Sequence, residues 1–206
     1  TLHVSHMSHF LILAAIFLIF KQDKRFNLFS WMLLLSFAVL INFYIFVMLI
    51  LLYVSDTLDE LFFAKNISYK KAFLSSLGLC VLSILLMWGV GYFTSFSQGS
   101  FANNHFGKYQ MNLLALFTPH GWSYVLPEIK GVPITYGNWV NNSIEDFMFL
   151  GLGNFILLLI AAYLCIRNKS HLYGIKRHYF LLICCGLLFL YSLSNTIQIG
   201  SAQYHM

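Results

Sequence analysis

Apolar residues in this chain fall in continuous runs, neither alternating with polar ones nor spaced at a helical period. Phe10-Leu-Ile-Leu-Ala-Ala-Ile-Phe-Leu-Ile-Phe20 contains no polar position. Four stretches carry no Asp, Glu, Lys or Arg: from Arg25 to Asp56, from Lys71 to Lys108, from Asp146 to Arg167, and beyond Arg177. Such runs match the ~20 apolar residues with which a helix crosses ~30 Å of hydrocarbon. They are expected to be helices, because each backbone N–H or C=O left unpaired in lipid costs several kcal/mol and a helix pairs its own. A membrane β-barrel needs strands of about ten residues alternating apolar and polar, so it is excluded. The pattern predicts an all-α fold, a polytopic transmembrane helical bundle. Its spans fall at about 4–20, 72–93, 147–166 and 179–195, with a longer apolar stretch over 26–58. Residues 94–146 are polar, hold Pro119, Pro127 and Pro133, and read as an outer loop containing short interfacial helices.

The basic residues orient these spans. Of the chain's 12 Lys and Arg, three lie in residues 21–25, three in 65–71 and four in 167–177, whereas 94–146 holds only Lys108 and Lys130. Positive charge marks cytoplasmic loops, so the three short segments are expected inside and residues 94–146 outside the cytoplasm. A single crossing by residues 26–58 would put segments 21–25 and 65–71 on opposite sides. Two arms, 26–41 and 43–58, joined as a hairpin at Asn42-Phe43-Tyr44, remove that conflict. From Arg25 to Asn42 and from Asn42 to Asp59 is about 17 residues each, roughly 25 Å at 1.5 Å per residue. The Asn42 side chain could satisfy backbone groups freed at such a break. The competing reading is one tilted helix whose Asn42 faces a neighbouring helix.

Composition sharpens the class. Only 9% of the residues are charged and 59% are apolar, against about 25% charged in a soluble domain. The net charge of +5 lies in short loops without a basic face, which argues against a nucleic-acid partner; membrane lipids are the partner expected. Cys80, Cys165, Cys184 and Cys185 lie inside predicted spans at no metal or disulfide spacing, and read as packing residues. Without an initial Met or a charged leader, the chain is expected to be one transmembrane region, residues 1–206, within a larger protein.

Candidate chemistry concentrates outside the spans. His3, His6 and His9 recur every third residue with no carboxylate or Cys nearby, a pattern better suited to packing and hydrogen bonding than to metal. Residues 108–122 mix apolar and polar positions around Lys108, Tyr109, Asn112, His120 and Trp122, as an interfacial or re-entrant element does. Glu145 precedes an apolar run; it suits a helix N-terminus and equally a general base or an acceptor for sugar hydroxyls. Sequons stand at Asn66-Ile-Ser68 and Asn141-Asn-Ser143, the second in the outer loop. No metal site is predicted, nor a cofactor for these residues.

His9-Phe-Leu-Ile-Leu-Ala-Ala15, Met111-Asn-Leu-Leu-Ala-Leu-Phe-Thr-Pro119, Gly121-Trp-Ser123, Glu145 with Phe147-Met-Phe-Leu-Gly-Leu-Gly153, Ser192-Leu-Ser-Asn195 and Ile197-Gln-Ile-Gly200 follow one another along the chain. In that order they resemble a largely uncharacterised family of bacterial membrane proteins placed among the GT-C-like glycosyltransferases. Where that family tends to have His-Pro-Tyr, this sequence has Asn42-Phe43-Tyr44 and keeps only the Tyr. The resemblance implies an integral protein of the bacterial inner membrane, a polyprenyl-phosphate sugar donor and transfer of the sugar at the outer membrane face. Catalytic acids of such enzymes sit in an earlier outer loop, so none is assigned here, and a divalent metal stays open for the full-length protein. Glu145, Lys108, His120, Tyr109, Asn112 and Trp122 are the substrate-binding candidates, with cationic groups stabilising a phosphate leaving group. A transporter or flippase of lipid-linked substrates, drawing on the break at Asn42 and Tyr44, and a non-catalytic membrane scaffold are the alternatives.

Overall fold

The computed structural model describes residues 8–21, 27–97, 112–119, 123–127, 129, 149–168, 170–193 and 196–205. Among them the chain forms eight α-helices, a short 3-10 turn and one two-stranded hairpin. It divides into two compact units, Thr1–Phe101 with Gly174–Cys184, and Ala102–Tyr173 with Cys185–Met206.

The first unit holds α1 (Phe10–Phe20), α2 (Leu28–Ile41), α3 (Phe43–Phe62), α4 (Tyr69–Val90) and the short α5 (Tyr92–Ser97). It also holds the end of α7 (Ser170–Arg177) and the start of α8 (Tyr179–Ser192). Its core joins Leu11, Ala15 and Ile19 of α1 to Trp31, Leu35 and Val39 of α2 and to Ile45, Leu49 and Leu52 of α3. Helices α2 and α3 fold back on each other. Trp31, in the first turn of α2, donates its indole N–H to Asp56 of α3 at 3.2 Å and packs edge-on against Tyr53, ring centroids 5.5 Å apart. On one continuous helix residues 31 and 56 would be roughly 37 Å apart.

Asn42 makes the break. Its backbone is extended, φ −158° and ψ 119°, between two helical segments. Its N–H still closes α2 on the Ala38 carbonyl, and its Oδ1 accepts from the Tyr44 N–H at 2.9 Å, opening α3. One side chain thus ends one helix and caps the next, the local competition with the helix ladder at which Asn excels.

At the other end of α3 the helix runs through Asp56, Asp59 and Glu60 to Phe62, past the expected end at residue 58. The polar residues there face inward and are satisfied. Ser68 restarts the chain, its Oγ accepting from the Lys71 N–H, so α4 takes in Tyr69 and both lysines rather than starting at residue 72. α4 ends at Val90, capped by Gly91, rather than at residue 93.

In the second unit the 3-10 turn Leu113–Leu116 packs against β1 (Thr196–Ile199), which pairs antiparallel with β2 (Ala202–His205). This hairpin adds a strand element to an otherwise helical chain. Its two-residue turn opens at Gly200, φ +61°, where a side chain would oppose the conformation such a turn requires. α6 (Leu152–Arg167) starts five residues later than the expected 147, after Gly151 at φ +84°, and none of its residues is buried. α7 forms within the basic segment 167–177, where the charge pattern predicts a short loop.

Among the described residues one helix, α4, is long and apolar enough to cross a membrane; α1, α2, α6 and α8 are shorter apolar helices. α4 buries Leu79 but leaves many of its large side chains outside, with Phe73 68% and Trp88 73% exposed.

Candidate functional site

The inward face of α3 begins apolar and becomes polar without changing direction. Ile45, Leu49, Leu52 and Tyr53 are followed on that face by Asp56, Asp59 and Glu60, all buried. The spacing of i, i+3 and i+4 among the three acids sets them on one stripe. Buried carboxylates must find donors, and each does. Asp56 accepts from Trp31. Glu60 accepts from the Asn66 side-chain amide at 2.8 Å and faces the Arg177 guanidinium at 4.0 Å.

Asp59 does something less local. Its two oxygens accept the backbone N–H groups of Phe180 at 3.0 Å and Leu181 at 3.3 Å. These are first-turn donors of α8, normally met by a capping oxygen just before the helix. Here the preceding residue is His178, whose imidazole offers no such oxygen, and α3 supplies the cap across 121 residues. Burial pushes the Asp59 carboxyl above its ordinary value, against the pull of the two N–H groups and of His178. Around this junction Phe62 and Phe63 pack on Phe180, Phe63 on Tyr179, and Phe20 on His178.

Hydroxyls fill the middle of the unit. The Tyr53 hydroxyl lies 3.1 Å from Ser75 Oγ and 3.3 Å from Ser76 Oγ, while Ser55 and Thr57 bond back to carbonyls of their own helix. At the far end the Tyr92 hydroxyl donates to the Val39 carbonyl.

Of the sequence-predicted site residues, Asn112 is described and lies in the second unit, 4% exposed. Its Oδ1 accepts from the N–H groups of Leu114 and Gly200, and its Nδ2 donates to the Gly200 carbonyl at 3.0 Å. An amide offers two donors and two acceptor sites, so one N–H is left over after the 3-10 turn has been capped and the hairpin turn clamped. Thr118 and Pro119 are buried beside it in sequence, and Phe117 stacks on Phe155 at 5.3 Å. Lys108, Tyr109, His120, Trp122 and Glu145 lie outside the described residues. Asn42 and Tyr44 stand at the helix break, Tyr44 exposed. Among the described residues no group of three or more His, Cys, Asp or Glu could hold a metal ion.

Residues 1–206 match a family described as Domain of unknown function (DUF6311). The chain belongs to that family. No curated protein and no solved structure matches it.

The charge pattern of this DUF6311 chain puts Asp56 in the 43–58 arm and leaves Asp59 and Glu60 beyond it, although the stripe 45, 49, 52, 53, 56, 59, 60 continues one helical face. Chemically the arrangement is a clasp. Every one of its carboxylates has protein donors, and it joins α2, α3, α7 and α8 of the DUF6311 chain at one end.

Proposed function

We propose that this chain is a polytopic membrane region, the middle part of a glycosyltransferase-like protein that moves a sugar from a lipid-linked donor at the outer face of a bacterial inner membrane. The observation carrying the membrane reading is the apolar surface of α4 and α6. Burying a Leu, Phe or Trp side chain contributes about 1.5–3 kcal/mol, and α4 alone keeps Phe73, Leu74, Leu77, Ile84, Leu85 and Trp88 at least half exposed. In water that surface is unfavourable by something on the order of 10 kcal/mol. In hydrocarbon it is not. Polar residues inside the helical unit point at one another, as buried groups in lipid must. On this reading Asp59 and Glu60 lie just beyond the 43–58 span.

The topology follows from the basic segments. Lys21 follows Phe20, Lys65 lies between α3 and α4, and Lys176 precedes the His178 that touches Phe20; all three are exposed. With that end cytoplasmic, residues 94–146 face outward, where Lys108, His120 and Glu145 would meet the donor phosphate and the acceptor. The sugar chemistry rests on the motif resemblance.

Two measurements test this. In a cysteine-free full-length protein, a membrane-impermeant maleimide added outside should label Tyr124→Cys and spare Lys70→Cys; the reverse pattern overturns the topology. Alanine at Lys108, His120 or Glu145 should reduce sugar transfer, and unchanged transfer in all three removes these residues from the reaction. A second reading, a flippase for lipid-linked substrates, draws on the helix break at Asn42, since discontinuous helices build midplane sites. It expects Asn42→Ala to slow substrate movement across proteoliposomes.

A further inference from the structure

At the clasp end of the first unit, charge is sorted by side. Asp56, Asp59 and Glu60 are 4%, 3% and 2% exposed, turned inward and held by Trp31, the start of α8, Asn66 and Arg177. The cations of the same end, Lys21, Lys65, Lys70, Lys71, Lys176 and Arg177, are all exposed. Arg177 keeps 46% of its side chain accessible even while facing Glu60. Between these cations stand exposed aromatic rings: Phe62 and Phe63 at the end of α3, Tyr69 at the start of α4 and Tyr179 at the start of α8. Phe62 touches Tyr69, Phe63 touches Tyr179, and both phenylalanines pack on Phe180, so the rings form one band rather than scattered positions.

Lys65 adds a separate indication. Its φ is +53°, a left-handed conformation that disfavours side chains and favours glycine. The turn is closed by hydrogen bonds, with Ala64 N–H on the Asp59 carbonyl, and Asn66 N–H on the Glu60 carbonyl while its amide holds the Glu60 carboxylate. A lysine is thus projected outward from a turn that would be less strained without it.

We propose that this end of the protein is a docking surface for anionic phospholipid headgroups. The inference rests on the membrane reading above and adds to it a partner of defined chemistry. An aromatic band sits at headgroup depth, and cations set among the rings meet lipid phosphates at the negatively charged cytoplasmic surface. Among the described residues the acids of this end are turned inward and the cations outward, so the surface these residues show to the lipid is cationic. Charge complementarity selects the occupant: a zwitterionic headgroup offers no net attraction to this row of cations, whereas phosphatidylglycerol does.

The test uses the full-length protein in bilayer nanodiscs of phosphatidylcholine mixed with phosphatidylglycerol, whose net charge gives the surface its negative potential. Trace spin-labelled phosphatidylglycerol or phosphatidylcholine reports the motionally restricted lipid at the protein. Phosphatidylglycerol should be enriched over phosphatidylcholine by roughly fivefold, the effect of one juxtamembrane cation, and the preference should fade as salt is raised to about 1 M. Lys65→Gln/Lys70→Gln/Lys71→Gln should lower it, and the corresponding Lys→Arg variant should retain it. Equal restriction of both lipids overturns the docking surface while leaving the chain in the membrane. No restricted component with either lipid overturns the membrane reading and this inference together. The salt titration on the unaltered protein decides the matter even where a variant fails to fold.

Discussion

The indole N–H of Trp31 reaches the Asp56 carboxylate at 3.2 Å across 25 residues of sequence, a polar tie between the two arms of the α2–α3 hairpin beside their shared apolar core. Both partners are buried, so the bond is made where water does not compete.

Removing the donor and keeping the acid should therefore cost more than the bond itself. Trp31→Phe keeps most of the ring volume and leaves Asp56 with one donor fewer. We expect a loss of about 1–3 kcal/mol, read as a lower midpoint in thermal or denaturant unfolding in detergent. Asp56→Asn combined with Trp31→Phe should lose less than the sum of the two single changes, because paired residues couple.

The cap that α3 places on α8 should be visible in hydrogen exchange. Asp59→Ala leaves the Phe180 and Leu181 N–H groups without their acceptor, at a cost of about 0.5–2 kcal/mol for a lost cap. Exchange at residues 180–183 should rise while the middle of α4 stays protected. Uniform loss of protection across both helices would show that the carboxylate does more than cap.

Acid should strengthen the same junction. Burial raises the Asp59 carboxyl above its ordinary 3.8, so the folded chain holds the proton more tightly than the unfolded one. The stabilisation by protonation is full below about 3.8 and is lost as pH rises through the folded value. Asp59→Asn cannot titrate there. The melting temperature of the parent relative to Asp59→Asn should rise as pH falls from 7 towards 4; a constant difference would refute the shift.

Lys65→Gly should stabilise the protein while weakening its contact with anionic lipid. Relief of a left-handed side-chain conformation contributes roughly 1 kcal/mol, partly offset by the greater freedom of glycine in the unfolded chain. A higher melting temperature, measured in a neutral detergent, is the expected result.

Asn112→Asp should damage the second unit more than its near-identical size suggests. The new carboxylate cannot donate to the Gly200 carbonyl 3.0 Å away and instead sets like partial charges against each other. We expect about 1–3 kcal/mol of local destabilisation, seen as faster exchange of the Gly200 amide; unaltered exchange would show that the clamp is dispensable.

Much of the helical framework could be read from charge-free runs, since a stretch such as Ala72–Val90 has only one way to satisfy its backbone in lipid. Asn42 was legible for a similar reason, as a strongly polar side chain in a long apolar stretch. The ends of α3 and α4 were not, because Asp59, Glu60, Lys70 and Lys71 read as loop until their partners are known. Asp59 is helical and buried on account of residues 180 and 181, which no local window contains. The hairpin at 196–205 is not legible in the sequence, because each of its strands is only four residues long. The chemistry of Asn112 suggests a ligand, whereas its geometry spends most of the amide on Leu114 and Gly200.

The cap on α8 carries a consequence for how the protein is made. Asp59 leaves the ribosome 121 residues before Phe180, a wait of roughly 6–24 s at 5–20 residues per second. Throughout that interval α3 has an inward carboxylate whose eventual partners do not yet exist. The preceding helices can pair early, but their polar end closes only when α8 arrives, so that junction waits on chain made well after α3.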